Sequence, residues 1–185
     1  MKRITKSFVQ KNKEIFDVVM FGSIVRGKEN PRDLDIAIIL SKELELDRRL
    51  LLSQSYRRAL EFLKSEIDVQ VVSINDLTDA SQLARTAIIA EGYSIIHERF
   101  LHSLFGFKCN SIFSYDLNGL SDSKKKTLYY ALNGRGKNPG ILKERNSEMM
   151  GAILLKVPLE YTEEFKELFD GYGCKYRTWV SCEYG

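Results

Sequence analysis

Asp33 and Asp35 stand two residues apart in the run Arg-Asp-Leu-Asp-Ile-Ala, separated from Gly22-Ser23 by nine residues. Leu34, Ile36, Ile38 and Leu40 alternate with them, which reads as a strand with one apolar face; Asp33, Asp35 and Ala37 share the other. On a strand the two Cα atoms lie roughly 6.6 Å apart, so both carboxylates can serve one or two cations. Like charges 4 Å apart repel by about 4 kcal/mol at an effective dielectric constant of 20. A divalent cation removes that cost, and hard oxygen ligands favour Mg²⁺ or Mn²⁺.

Asp68 supplies a third carboxylate at the start of a second alternating run, Ile67–Ser73. The helix expected between the two runs is long enough to cross the sheet, and a right-handed crossover lays the second strand near the first. There Asp68 either shares a metal or takes the proton of an attacking hydroxyl. Gly22-Ser23 ends the apolar run Phe16–Phe21, a buried strand entering a tight turn. Glycine lets a phosphate approach the backbone. The Ser23 hydroxyl and the N-terminus of a short helix at 24–27 can donate to its oxygens, and Arg26 or Lys28 adds positive charge near a triphosphate.

The strings Val-Met-Phe-Gly-Ser-Ile-Val-Arg-Gly and Arg-Asp-Leu-Asp-Ile-Ala resemble the signature of minimal nucleotidyltransferases of the DNA-polymerase-β-like superfamily. The third acid on a later strand matches too, and the resemblance runs from Met1 to about His97. It implies an NTP donor, ATP foremost, two Mg²⁺, and transfer of a nucleoside monophosphate with release of pyrophosphate. It assigns metal and catalytic roles to Asp33, Asp35 and Asp68, and nucleotide binding to Gly22, Ser23 and Arg26. Such proteins act on RNA ends, antibiotics or protein side chains. A degenerate member that only holds nucleotide or RNA is the contrasting reading, against which the presence of all three acids speaks.

The elements that must position these residues are also visible. Met1–Lys13 is basic and helical towards Phe8. Leu52, Tyr56, Ala59 and Leu63 give an amphipathic helix over Leu44–Lys64. Leu77–Glu91 reads as a helix stopped at Gly92, followed by a short strand at Tyr93–Ile96. The sequence changes character near residue 103. Residues 1–103 are expected to form an α/β catalytic domain, a small mixed sheet flanked by helices, and residues 104–185 a small α+β domain. In the latter, Phe105–Gly119 shows no clear period and Ser121–Leu132 reads as a helix. Arg135–Asn146 reads as a polar loop, Gly151–Val157 as a strand, Thr162–Asp170 as a helix and Lys175–Val180 as a final strand.

Net charge is only +3 over 185 residues, so clustering matters more than the total. Lys124, Lys125 and Lys126, then Tyr129 and Tyr130, then Arg135, Lys137, Lys143 and Arg145 form the most basic stretch. Lysines bind phosphates and tyrosines stack on bases, which makes an RNA 3′ end, tRNA included, the leading acceptor. A protein hydroxyl modified by AMP is the alternative. The bland reading has the tyrosines packed inward and the lysines facing water. Gly134–Gly140 lacks the Lys-Ser or Lys-Thr of a Walker loop and reads as a flexible basic loop.

No apolar run approaches the ~18 residues of a membrane span, and Met1–Lys13 lacks an apolar signal core. Cys109, Cys174 and Cys182 are odd in number and widely spaced, so no disulfide framework or zinc site is expected, and a reduced, cytoplasmic setting is. His97 and His102 are too few for a metal site. Trp179, Cys174 and Cys182 read as packing residues of the last strand.

Overall fold

The computed structural model describes residues 1–63, 65–79, 81 and 84–185. The chain divides into two compact units, Met1–Phe107 and Lys108–Gly185.

In the first unit the strands are β1 (Ile15–Phe21), β2 (Asp33–Leu40), β3 (Glu66–Ser73), β4 (Tyr93–Ser94) and β5 (Arg99–Phe100). The helices are α1 (Lys2–Lys11), α2 (Leu46–Ala59), α3 (Ile74–Thr78), α4 (Arg85–Glu91) and α5 (Leu101–Leu104). The sheet runs β3-β2-β1-β4-β5. β2 and β3 are parallel, and the other pairings are antiparallel. α1 and α2 cover one face, where Val18, Leu34, Ile36, Ile38, Ile67 and Val69 pack with Leu52, Tyr56 and Phe8. The buried Tyr56 hydroxyl meets Thr5 Oγ1 at 2.6 Å, tying α2 to α1.

The expectation of a single apolar face on β2 is corrected here. Ala37 and Ile39 pack with Val19, Phe21, Ile88 of α4 and Leu101 of α5. The second face is therefore buried too, except where Asp33 and Asp35 begin the strand. The expected helix over 44–64 ends at Ala59 and yields to a 3-10 turn at Glu61–Leu63; Lys64 lies outside the described residues. The expected helix over 77–91 is two helices. A capping box starts α3, with Ser73 accepting from the Asp76 N–H and the Asp76 carboxylate accepting from the Ser73 N–H. Asp79 is extended and ends it. Ala80, Gln82 and Leu83, within that expected helix, lie outside the described residues.

The second unit contains β6 (Phe107–Asp116), α6 (Asp122–Asn133), β7 (Gly134–Arg135), β8 (Asn138–Pro139), α7 (Ile141–Glu144), β9 (Glu148–Gly151), β10 (Leu154–Pro158), α8 (Thr162–Tyr172) and β11 (Lys175–Tyr184). Its main sheet runs β11-β6-β10-β9. With α6 after β6 and α8 after β10, this is the split β-α-β arrangement. Phe113, Leu155 and Val157 pack against Leu128 and Leu132 of α6 and Phe165 and Phe169 of α8.

Five expectations change in this unit. β6 occupies the stretch without a period, because Cys109–Phe113 are buried without alternation in a central strand. The polar stretch 135–146 holds the β7–β8 hairpin and α7. The expected strand 151–157 is a hairpin of β9 and β10. Cys109 and Cys182 form a disulfide, which their 73-residue separation hid; only the pairing of β11 with β6 brings them together. Trp179 is not core: Tyr176 packs on Phe113 and Phe169, so the odd-numbered residues of β11 face the other way, and Trp179 is 48% exposed. Cys174 is buried and free. Among the described residues no helix is long and apolar enough to cross a membrane.

One buried charge in the first sheet gives a stability test. Asp17 is 1% exposed. Its Oδ1 accepts from the Val18 N–H and the Ser94 hydroxyl, but its Oδ2 has no partner. Burial pushes its carboxyl above the usual range, against the lowering pull of those hydrogen bonds and of His97. A folded-state pKa above the unfolded value means the native chain holds the extra proton, so stability falls as pH rises through that window. Thermal unfolding of Asp17→Asn should therefore match or lag the wild type at acid pH. It should gain on it by about 1 kcal/mol at neutral pH, the scale of one unpartnered polar group. A difference that does not change with pH would contradict this.

Candidate active site

The parallel register of β2 and β3 sets Asp33 beside Glu66 and Asp35 beside Asp68. Adjacent strands lie about 4.8 Å apart and paired residues share a face, so four carboxylates border one end of one sheet face. On the other side Asp35 pairs with Phe21, the residue just before Gly22. The expected helix at 24–27 is instead one 3-10 turn at Gly22–Ile24 followed by a turn to Lys28, whose N–H donates to the Ser23 carbonyl at 3.0 Å. A single turn has little summed dipole, so the donors there are individual N–H groups and the Ser23 side chain.

Gly22 is required twice over. Its φ is +77°, and a Cβ on it would stand 2.2 Å from Asp35 Oδ2. The turn therefore presses its backbone directly onto the central carboxylate. Burial raises the Asp35 carboxyl above the usual range, and the neighbouring Asp33 and Asp68 raise it further, while Arg26 opposes them. This group is short of positive charge.

Arg26 Nη1 donates to Glu91 Oε2 at 2.8 Å, and the Glu91 side chain is 11% exposed. The pair anchors the chain after the Gly-Ser turn to the end of α4 and keeps a guanidinium in the field of Asp35. Asp68 turns outward: its carboxylate lies 3.8 Å from Arg57 and accepts from Gln70 at 3.4 Å. Among the described residues no three acidic, histidine or cysteine side chains converge on one point. Carboxylates without a cation repel one another, and Asp68 is half-exposed and able to rotate. An all-oxygen set of Asp33, Asp35 and Asp68, with its central member short of positive charge, fits a hard divalent cation.

Glu66 and Glu91 were not among the sequence candidates. Glu66 repeats with Asp68 the i, i+2 spacing of Asp33 and Asp35, which was a usable signal; Glu91 had none. The remaining candidates belong to the second unit. Lys124 Nζ donates to the Tyr172 carbonyl at the end of α8, and Lys125 lies 3.5 Å from Asp122. Lys126, Arg135 and Lys137 are exposed, with the Arg135 guanidinium 5.0 Å from the Tyr130 ring centre. Arg145 is held by both carboxylate oxygens of Glu164.

A family model described as "Polymerase beta, Nucleotidyltransferase" matches residues 3–99. No curated protein matches the chain. Similar solved structures include a toxin-antitoxin with AMP-PNP, at 21% identity over 51% of this chain and 71% of that one, with a TM-score of 0.38. Another is a tri-AMPylated Shewanella oneidensis HEPN toxin in complex with MNT antitoxin, at 20% identity, 51% and 71% coverage and a TM-score of 0.32. Likenesses of this size bear on neither activity nor acceptor.

Gly22→Ala should lower stability by about 1–2 kcal/mol, the cost of a left-handed conformation for an L-residue, and should also displace the Asp35 carboxylate. Chemical denaturation measures the first effect and Mn²⁺ titration the second. An alanine variant with wild-type stability and cation affinity would show that this close approach is not needed.

Proposed function

The chain belongs to the polymerase beta nucleotidyltransferase family, and from that premise we propose that it transfers a nucleoside monophosphate from an NTP, ATP foremost, to an acceptor hydroxyl. The observation that carries this reading is the placement of Asp35 between Asp33, Asp68 and the Gly22 turn. Asp33 and Asp35 would hold Mg²⁺ or Mn²⁺, with Asp68 available as a shared ligand. The metal, when bound, supplies Lewis-acid stabilisation of the charge that develops around the α-phosphate and the leaving pyrophosphate.

The chain's own groups do the rest. The backbone at Gly22 and the Ser23 hydroxyl receive triphosphate oxygens, and Arg26, steadied by Glu91, offsets their charge. Asp68 is the most outward of the three acids and suits the acceptor side: it orients the attacking hydroxyl or takes its proton. The acceptor oxygen bonds to the α-phosphorus, the bond to the bridging oxygen breaks, and pyrophosphate leaves with that electron pair. The favoured acceptor is an RNA 3′ end, supported by the exposed cations of the second unit.

Incubation with each α-labelled NTP, followed by separation of RNA from protein, tests the acceptor directly. Label in RNA supports this reading, and label in a polypeptide replaces RNA with a protein hydroxyl. Asp33→Asn and Asp35→Asn should each lower transfer on the order of a thousandfold, since several kcal/mol of charge stabilisation depend on them, and EDTA should stop the reaction. Asp68→Ala should retain most NTP affinity in calorimetry while losing turnover. Near-wild-type transfer by either asparagine variant would remove the metal-ligand assignment.

A further inference from the structure

Lys126, Tyr129, Tyr130 and Asn133 recur at i, i+3, i+4 and i+7 on α6 and so form one stripe, turned away from the buried Leu128 and Leu132. Tyr129 is 59% exposed, and its ring centre lies 6.0 Å from that of Tyr130. The β7–β8 hairpin continues the stripe and brings Arg135 over the Tyr130 ring. This hairpin is not a slack loop. A Cβ on Gly140 would meet the Leu132 carbonyl at 2.1 Å, and one on Gly134, whose φ is +87°, would meet the Asn138 carbonyl at 2.4 Å. The hairpin is thus seated closely on the end of α6. A concavity of about 530 Å³ beside it is lined by Arg135, Lys137, Asn138, Lys143 and Glu144.

The basic stretch of the sequence is therefore sorted by its contacts. Lys124, Lys125 and Arg145 are engaged with Tyr172, Asp122 and Glu164. Lys126, Arg135, Lys137 and Lys143 are exposed, and the first three interleave with two tyrosines. We propose that this stripe of α6 and the β7–β8 hairpin form a binding platform for single-stranded nucleic acid, with Tyr129 stacking a base and Lys126, Arg135 and Lys137 meeting phosphates. The proposal rests on the RNA-acceptor reading above and gives it a surface. Single strands suit it because their bases are free to stack on an exposed ring, which the bases of a duplex are not. Cations alone would serve an acidic peptide equally well; the exposed aromatic ring among them favours a base.

The test uses the full chain and fluorescein-labelled 12-nucleotide oligoadenylate RNA, with the same RNA in a duplex and poly-glutamate as comparison ligands. Affinity is read by anisotropy at several salt concentrations, and circular dichroism confirms that each variant is folded. Tyr129→Ala should weaken single-strand binding roughly tenfold, within the range for loss of one stacked base, and Tyr129→Phe should restore it. The triple variant Lys126→Ala, Arg135→Ala, Lys137→Ala should flatten the salt dependence by about 0.7 per lost contact, whereas Lys124→Ala should leave the slope unchanged. Equal RNA binding by wild type and folded Tyr129→Ala overturns the proposal. So does tighter binding of duplex or poly-glutamate than of the single strand. If wild type binds Mg²⁺–NTP but no RNA, this platform falls while nucleotidyl transfer to another acceptor stands. If RNA binds through Tyr129 but NTP does not bind, the transferase reading falls and the platform stands.

Discussion

Asp35 and Asp68 are direct neighbours across a parallel ladder, and Asp33 precedes Asp35 on the same face. Carboxylates at this spacing repel one another, and Asp33 and Asp68 add to burial in raising the Asp35 carboxyl. The first unit bears that cost through its architecture. Hydrophobic layers on both sheet faces fix β2 and β3 along their whole length, except where the acids begin. The helix between the two strands makes them parallel and sets their register. Without that register Asp68 would face the core and Ile67 the site, since a slip of one residue inverts every side chain.

The same constraint explains the surroundings. Gly22 is pressed onto Asp35 because β1 ends opposite it, so a phosphate reaching this turn also reaches the acids. Arg26 and Arg57 each stand near one of these carboxylates. These two guanidinium groups partly screen the cluster, and Glu91 holds Arg26 in place. The burial that raises the Asp35 carboxyl is also what would make a bound cation effective, because its field is less screened there than in water.

The fold class and the strand positions of the candidate acids were legible in the sequence, whereas several element boundaries and pairings were not. Asp33 and Asp35 are visible because strand periodicity is local, and Gly22 because a strand ending in glycine needs no distant partner. Register between strands is not local, so Glu66 gained its meaning only when paired with Asp33. Cys109 and Cys182 likewise needed the adjacency of β11 and β6. β6 itself left no alternation to read because its centre is buried on both faces. Trp179 was misplaced for the opposite reason: an apolar residue on a strand suggests core, but its parity relative to Tyr176 decides the face. The helical pattern over 77–91 runs across Asp79, whose extended backbone ends the first of two short helices.

Asp33, Asp35 and Asp68 would together form one cation site beside the Gly22 turn. Adding substoichiometric Mn²⁺ to isotope-labelled protein while recording amide spectra tests it without any assumption about acceptor. The signals of Gly22, Ser23, Asp33, Asp35 and Asp68 should broaden first, ahead of those from the rest of Met1–Phe107. Broadening centred elsewhere, or weak effects spread evenly over the acidic surface, would contradict it.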